Sequence, residues 1–441
     1  MTKKSSIYSC NNCSYQTIKW LGCCPDCQRF DTIKLIPAKA VGQAIPAALS
    51  DLSTITLEPT KRMLTGIKEW DRVTGGGIVP GSFSILTGDP GIGKSTLLLH
   101  IAQQLANTYK VFYFSSEESL EQVKSRAERL HIQAQKLLFS DDPNLESLLA
   151  TCIQEKPAVV IIDSIQNCYI TDSPALSGSI GQLKEAAFKL MRMAKENRIA
   201  IIASGHITKE GVMAGPKTLE HLVDAVFYLQ GEDRWQTRVL RSVKNRFGTV
   251  CELGFFSMEE HGLKEMPNIN EHLLEELSHN PGSVLISFIE GSRPLLIELQ
   301  ALVLQSKYGI PQRVVSGIDH TQVVLIAAIL EKYLHIKFGT HDIFFKISGS
   351  FKIKSASADL GIALALLSSY FQKPLPEKSL ILGEVSLTGQ IKPINQMTVH
   401  AAEAEKFGIQ RLILAQNQKV DTSCKTLKFS HVYELVTLFS E

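Results

Sequence analysis

The chain has 441 residues, of which 44% are hydrophobic and 20% charged, a composition of folded globular domains that excludes a disordered protein. At that length two or three domains are expected. The 46 basic and 44 acidic side chains leave a net charge of +2, so any nucleic-acid partner must be met by locally concentrated Lys and Arg. No apolar run reaches the roughly 18 residues of a membrane span. Met1-Thr2-Lys3-Lys4 runs into polar Ser5-Ser6 without a signal-peptide core, so a cytoplasmic protein with no membrane partner is expected.

Residues 1–35 hold five of the nine cysteines: Cys10, Cys13, Cys23, Cys24 and Cys27. Cys10-x-x-Cys13 and Cys24-x-x-Cys27 are two knuckles that can complete a closed tetrahedron around one Zn²⁺. Four protein ligands leave no open position, which makes the site structural, with the metal supplying most of the folding free energy. Cys23 competes with Cys24 for the third place; Cys24 keeps the two-residue spacer and precedes Pro25. Cys152, Cys168, Cys251 and Cys424 are scattered and read as small buried hydrophobes. Residues 36–60, rich in Ala, Pro, Ser and Thr, read as a linker.

Residues 61–265 alternate short apolar runs with amphipathic helices, the pattern of a parallel α/β sheet. The β-prone run Ser82–Thr87 leads into Gly88-Asp89-Pro90-Gly91-Ile92-Gly93-Lys94-Ser95-Thr96, a complete G-x-x-x-x-G-K-[ST] motif. The glycines let backbone N–H groups point at phosphate oxygens, Lys94 reaches the β- and γ-phosphates, and the Ser95 hydroxyl is placed for Mg²⁺. The helix that starts at Thr96 turns its N-terminus to the phosphates of ATP. Pro157–Ser164 is an apolar strand ending in Asp163, a second Mg²⁺ ligand. Val111–Glu118 is a strand ending in two acids. Glu117 or Glu118 either orients the attacking water or caps the helix Ser119–Leu130. Ile199–His206 is another strand; His206 at its tip either senses the γ-phosphate or is a polar strand end.

Residues 266–281 form a connector, and 282–441 mix strands (Val284–Ile289, Leu296–Leu299, Ile343–Ser348) with helices (Thr321–Tyr333, Asp359–Tyr370, Val399–Phe407). Ordered motifs then carry a resemblance along nearly the whole chain. They are Trp20-Leu21-Gly22 before Cys24-Pro25, the P-loop, Ser116-Glu117-Glu118-Ser119, Gly205–Gly211, Leu219–Asp224 and above all Lys244-Asn245-Arg246-Phe247-Gly248. With these the chain resembles the bacterial RadA (Sms) DNA repair family. Gly291–Pro294 and Leu382–Gly389 are similar to the Lon protease domain.

The resemblance implies a fold: a RecA-like P-loop core, a small zinc ribbon before it and an α+β Lon-like domain after it. It implies Glu117 as the catalytic glutamate, His206 as γ-phosphate sensor, and Lys244 and Arg246 as cations reaching a neighbouring subunit's ATP. It implies a hexameric ring around single-stranded DNA, acting on branched recombination intermediates beside the RecA recombinase. The channel loop would be Thr208–Lys217, with Lys209 and Lys217 on phosphates. Arg234, Arg238, Arg241, Lys244 and Arg246 add local positive charge. Ser357 falls near the Lon serine, but Thr398 stands where the dyad lysine belongs, so the last domain is expected to be a non-proteolytic scaffold. His320-Thr321-Gln322 stands where relatives carry an Asn-Arg pair after Asp319. The competing readings are an ATP-dependent Lon-like peptidase and a RecA-core signalling ATPase without a DNA role.

Overall fold

The computed structural model describes residues 7–10, 16–17, 19–25, 27–36, 51, 53, 61–133, 136–171, 179–206, 216–232, 237–275, 277–307, 309–348 and 353–440. The chain divides into two compact units, residues 1–59 and 60–441. In the first, β1 (Ile7–Cys10), β2 (Gln16–Thr17) and β3 (Ile33–Ile36) pair antiparallel in the order β2-β1-β3. Its buried side chains centre on Cys10, Cys24 and Ile33, too small a cluster to hold a fold by apolar burial alone.

The second unit begins with α1 (Lys68–Val73), β4 (Phe83–Gly88), α2 (Lys94–Ala106), β5 (Val111–Ser115), α3 (Leu120–Arg129) and β6 (Leu137–Ser140). There follow α4 (Leu145–Glu155), β7 (Val159–Asp163), α5 (Ile180–Asn197), β8 (Ala200–His206), α6 (Pro216–Leu222), β9 (Ala225–Glu232), β10 (Thr237–Asn245), β11 (Leu253–Glu259) and β12 (Gly262–Glu265). Among the described residues these strands form one sheet, β12-β11-β10-β9-β4-β8-β7-β5-β6. From β9 to β6 the pairing is parallel. Strands β4, β5 and β7 are buried along their whole length, because helices cover both faces: Leu97, Leu98 and Ile101 of α2 on one side, Leu183, Ala187 and Leu190 of α5 on the other.

The expected parallel sheet ends at β9. Strands β10, β11 and β12 are antiparallel, since connections such as Glu260-His261 are far too short for a crossover helix. The helix Leu120–Arg129 is capped by Ser119, whose Oγ accepts from Gln122 N while the Gln122 side chain accepts from Ser119 N. Neither Glu117 nor Glu118 is the cap.

The remaining elements are α7 (Ile269–Glu275), β13 (Ser283–Glu290), β14 (Arg293–Gln305), β15 (Arg313–Ser316), α8 (His320–Leu334), β16 (His341–Ile347), α9 (Asp359–Phe371), β17 (Ser379–Leu382), β18 (Glu384–Val385), β19 (Ile391–Lys392), α10 (Met397–Lys406), β20 (Arg411–Ala415) and β21 (Lys425–Phe429). A second sheet runs β15-β16-β14-β13-β17-β20-β21. Helix α9, apolar all round from Leu360 to Leu367, is buried between its face and α8. Val239, Leu253 and Phe255 of the first sheet belong to the same core as Ile286, Leu295 and Ile297 of the second. His400 of α10 is buried, sharing a 2.8 Å hydrogen bond with Ser287 Oγ; burial pushes its pKa down to about 4, so it is neutral in the fold.

Candidate nucleotide site and metal centre

Four parallel strands end side by side. Gly88 of β4 pairs with His206 of β8, and Ser115 of β5 pairs with Asp163 of β7. Such a row of strand C-termini is where open α/β sheets bind ligands. At Gly88 a Cβ would lie 2.2 Å from Leu229 O, so only glycine lets the chain leave the strand there. Gly93, at φ 112°, caps α2 without a side-chain acceptor, and the first turn of α2 carries no acid. Its N–H groups therefore face the loop, ready for an anion.

Lys94 is buried, and its Nζ donates to Gly88 O (2.9 Å) and Asp89 O (3.0 Å), folded back over the loop it will span. Burial pulls its pKa down, and the charges of Asp163, Glu117 and Asp89 oppose that pull. Asp163 is fixed through both oxygens: Tyr113 OH donates to Oδ2 at 2.8 Å and Ser204 Oγ to Oδ1 at 2.5 Å. Burial, reinforced by Asp163, holds the Tyr113 phenol well above its usual range, so it stays a donor. Each Asp163 oxygen keeps a lone pair for a hard cation or its water.

Glu117 and Glu118 separate at this point. Ser164, next to Asp163, donates its hydroxyl to Glu117 Oε1, which aims that carboxylate into the cavity lined by Lys94, Ser95 and Asp163. Glu118 lines the same cavity but is engaged by Arg126 of α3. Arg126 and Arg129 line the same cavity and were missed by sequence reading; their spacing on a charged helix reads as solvated surface. The side chain of His206 is not among those described; its backbone lies beside Gly88.

Lys244 and Arg246 lie at the opposite end of the sheet. Arg246 N donates to Asp224 O and Asp224 N to Phe83 O, which puts Arg246 level with Phe83. Gly88 is five residues further along β4, roughly 16 Å at ~3.3 Å per residue. The segment is anchored and is no loose basic turn. Asn245 Nδ2 donates to Thr74 O (3.2 Å), Asn245 Oδ1 accepts from Phe247 N (2.9 Å), and Arg62 Nη2 donates to Phe247 O (2.6 Å). The Lys244 ammonium rests on the carbonyls of Glu220 and Val223 (2.8 Å to the latter), and burial, then Arg246, lowers its pKa. The Arg246 guanidinium is 57% exposed beside Asp224.

The basic cluster expected around these two does not form one patch. Arg238 Nε donates to Ile92 O of the P-loop (3.2 Å), and Arg241 is neutralised by Glu290. Arg234 and Lys209 lie outside the described residues, as does the side chain of Lys217 on α6.

In the first unit the thiols of Cys10, Cys24 and Cys27 lie within 4.8 Å of one another, with 3.6 Å between Cys10 and Cys27. Three soft donors at this separation fit Zn²⁺. Cys23 is turned away, its thiol on Cys24 O at 3.7 Å, and Cys13 lies outside the described residues. Of the scattered cysteines, Cys152, Cys168 and Cys424 are buried as expected, but Cys251 is exposed. It occupies a turn at φ 65°, a conformation outside regular strand or helix.

In the 3-10 turn that precedes α9, Ser357 Oγ pairs with Ser355 Oγ at 2.7 Å. Asp319 caps α8, and Gln322 reaches Asp359 Oδ1 at 2.6 Å, so the departing Thr321-Gln322 pair serves local structure.

Three family models match this chain: an AAA domain over residues 52–212, subunit ChlI of Mg-chelatase over 308–418, and a rubredoxin metal binding domain over 8–34. Relatives described as DNA repair protein RadA align along nearly the whole chain. That of Listeria monocytogenes serovar 1/2a is 41% identical over 426 residues, covering 95% of this chain and 93% of its own. The Bacillus subtilis (strain 168) protein is 39% identical, covering 94% and 93%. The Streptococcus pyogenes serotype M3 protein is 39% identical, covering 96% of each. A solved structure, that of a KaiC-like protein from the hyperthermophilic archaeon Pyrococcus horikoshii, aligns at TM-score 0.41 and 18% identity over 47% of this chain and 100% of that one.

Proposed function

This chain belongs to the RadA family of DNA repair proteins, and from that premise we propose a DNA-dependent ATPase of homologous recombination that drives branch migration on branched intermediates. Its cofactors are ATP with Mg²⁺, and Zn²⁺. Gly88–Thr96 cradle the phosphates, Lys94 bridges the β- and γ-phosphates, and Ser95 and Asp163 hold Mg²⁺. Glu117, held in place by the Ser164 hydroxyl, takes the proton of the attacking water. His206, whose backbone flanks Gly88, reads the γ-phosphate. Lys244 and Arg246 stabilise the transferring phosphoryl of the adjacent subunit in a hexameric ring.

One observation carries the reading: the nucleotide cavity and the anchored cations stand at opposite ends of β4. A cation about 16 Å down the strand is out of reach of its own P-loop, which favours a role at another copy's. Lys209 and Lys217, after β8, meet single-stranded DNA in the channel, next to the RecA recombinase in the cytoplasm. With its hydroxyl on Ser355 and Thr398 where a base belongs, Ser357 is no nucleophile, and the C-terminal sheet acts as scaffold. On a three-stranded joint molecule the wild type should extend the joint with ATP, while Lys94→Ala and Arg246→Ala should leave it where it formed. Extension by Lys94→Ala at the wild-type rate would dismiss the motor.

Cys10, Cys13, Cys24 and Cys27 hold one structural Zn²⁺. Cys24→Ser should lower zinc, read by elemental analysis, from one per chain to near zero, and the first unit should unfold, since roughly 10–16 kcal/mol of metal binding is its folding free energy. Full zinc retention would transfer the ligand role to Cys23.

A further inference from the structure

The motif Gly291-Ser292-Arg293-Pro294 forms the tip of the β13–β14 hairpin, and the tip is planted on the ATPase sheet. Glu290 pairs with Arg241 of β10. Ser292 Oγ donates to Glu252 Oε2 at 3.0 Å, and Arg293 Nη1 donates to the fully buried Glu69 at 2.8 Å while lying 4.9 Å over the Phe255 ring. Gly291, at φ 60°, has no room for a side chain: a Cβ would come 2.8 Å from Glu252 Cα and 2.9 Å from Cys251 O.

What lies under the tip gives the contact its meaning. Cys251 and Glu252 hydrogen-bond back to Ser242 of β10, through Cys251 N to Ser242 O (2.8 Å) and Ser242 N to Glu252 O (3.0 Å). Ser242 is where the β9–β10 register slips, a bulge between Ser242 and Lys244. A bulge re-aims the residues that follow it. Those residues are Lys244, Asn245 and Arg246. The far side of the segment is held by Arg62 and Asn245, so one flank is fixed within the ATPase core and the other by the C-terminal sheet.

We propose that the hairpin tip Glu290–Arg293 is a positioning element for hydrolysis: it sets the bulge in β10 and so aims Lys244 and Arg246 at the neighbouring subunit's nucleotide. The proposal rests on the trans role assigned to those cations above. Through it, motion of the C-terminal sheet is transmitted to the firing of ATP without any C-terminal residue touching nucleotide.

The test is steady-state ATP hydrolysis by full-length Glu290→Gln and Gly291→Ala, with Arg246→Ala beside them. Cations that act on the transferring phosphoryl change turnover and leave ground-state binding alone. Both hairpin variants should lose about ten-fold in kcat at unchanged KM for ATP and unchanged sedimentation of the assembly, Glu290→Gln at unchanged Tm and Gly291→Ala, whose added Cβ meets Glu252 and Cys251, at a lowered one. The exchanged pair Arg241→Glu with Glu290→Arg should recover kcat, a rescue that mere loss of packing would not show. Wild-type kcat in both hairpin variants overturns the proposal, as does, in Glu290→Gln, a fall in kcat that comes with a fall in Tm or a rise in KM. If Arg246→Ala lowers kcat and the hairpin variants do not, the hairpin role fails and the trans reading stands. If Arg246→Ala hydrolyses ATP at the wild-type rate, the trans reading fails and takes this proposal with it.

Discussion

Glu117→Gln should bind ATP as tightly as the wild type and hydrolyse it on the order of 10²–10⁴ times more slowly. Glutamine keeps the shape and can still accept the Ser164 hydroxyl, so the wall of the cavity survives. It cannot take a proton from water. It also removes one of the carboxylates whose charge keeps the buried Lys94 protonated, a charge that the bound phosphates replace. Binding of a fluorescent ATP analogue and single-turnover hydrolysis separate the two effects. Glu118→Gln is the control. Its partner is Arg126, so that change should relax α3 against the cavity and cost far less turnover. Equal losses from the two substitutions would mean that neither is the base.

Much of this site is legible in the sequence because its parts are local. A β-prone run, a glycine-rich turn and an apolar helix stripe follow one another within Phe83–Leu105, and the strand ending in Asp163 declares itself by an unbroken apolar run. Where sequence reading falls short, the partners are distant in the chain. Arg62 bonds Phe247 across 185 positions, Arg293 bonds Glu69 across 224, and Arg238 bonds Ile92 across 146. Local periodicity carries no record of such pairings, so sequence reading gives Arg62 no role, Arg238 only a place in a basic cluster and Arg293 only a place in a Lon-like motif. The helix cap shows the opposite error. Glu117 and Glu118 compete for a role that Ser119 and Gln122 fill by themselves, because a hydroxyl one residue before the helix reaches the N3 amide and a carboxylate further back does not. The antiparallel edge of the first sheet is likewise set by loop length: two residues between β11 and β12 allow only a hairpin.

Mixing two inactive variants should restore activity. Lys94→Ala lacks the lysine that holds the phosphates but keeps Lys244 and Arg246; Arg246→Ala keeps an intact nucleotide cavity but lends its neighbour one cation fewer. In an equimolar random assembly, half of the cavities are intact and half of the fingers are intact. About a quarter of the interfaces then join an Arg246→Ala cavity to a Lys94→Ala finger, giving one complete site each. Hydrolysis should rise toward about a quarter of the wild-type rate, against near zero for either variant alone. The geometry makes this demand specific. Within one copy Arg246 is level with Phe83, at the end of β4 remote from Gly88, and its half-exposed guanidinium is bound at 3.3 Å only to Asp224 among the described charged groups. Exchange of fluorescently labelled subunits establishes that mixed assemblies form. If they form and the mixture hydrolyses no more ATP than the sum of its parts, each copy fires its own nucleotide. The anchoring of Lys244 and Arg246 by Arg62 and Asn245 then serves the fold alone.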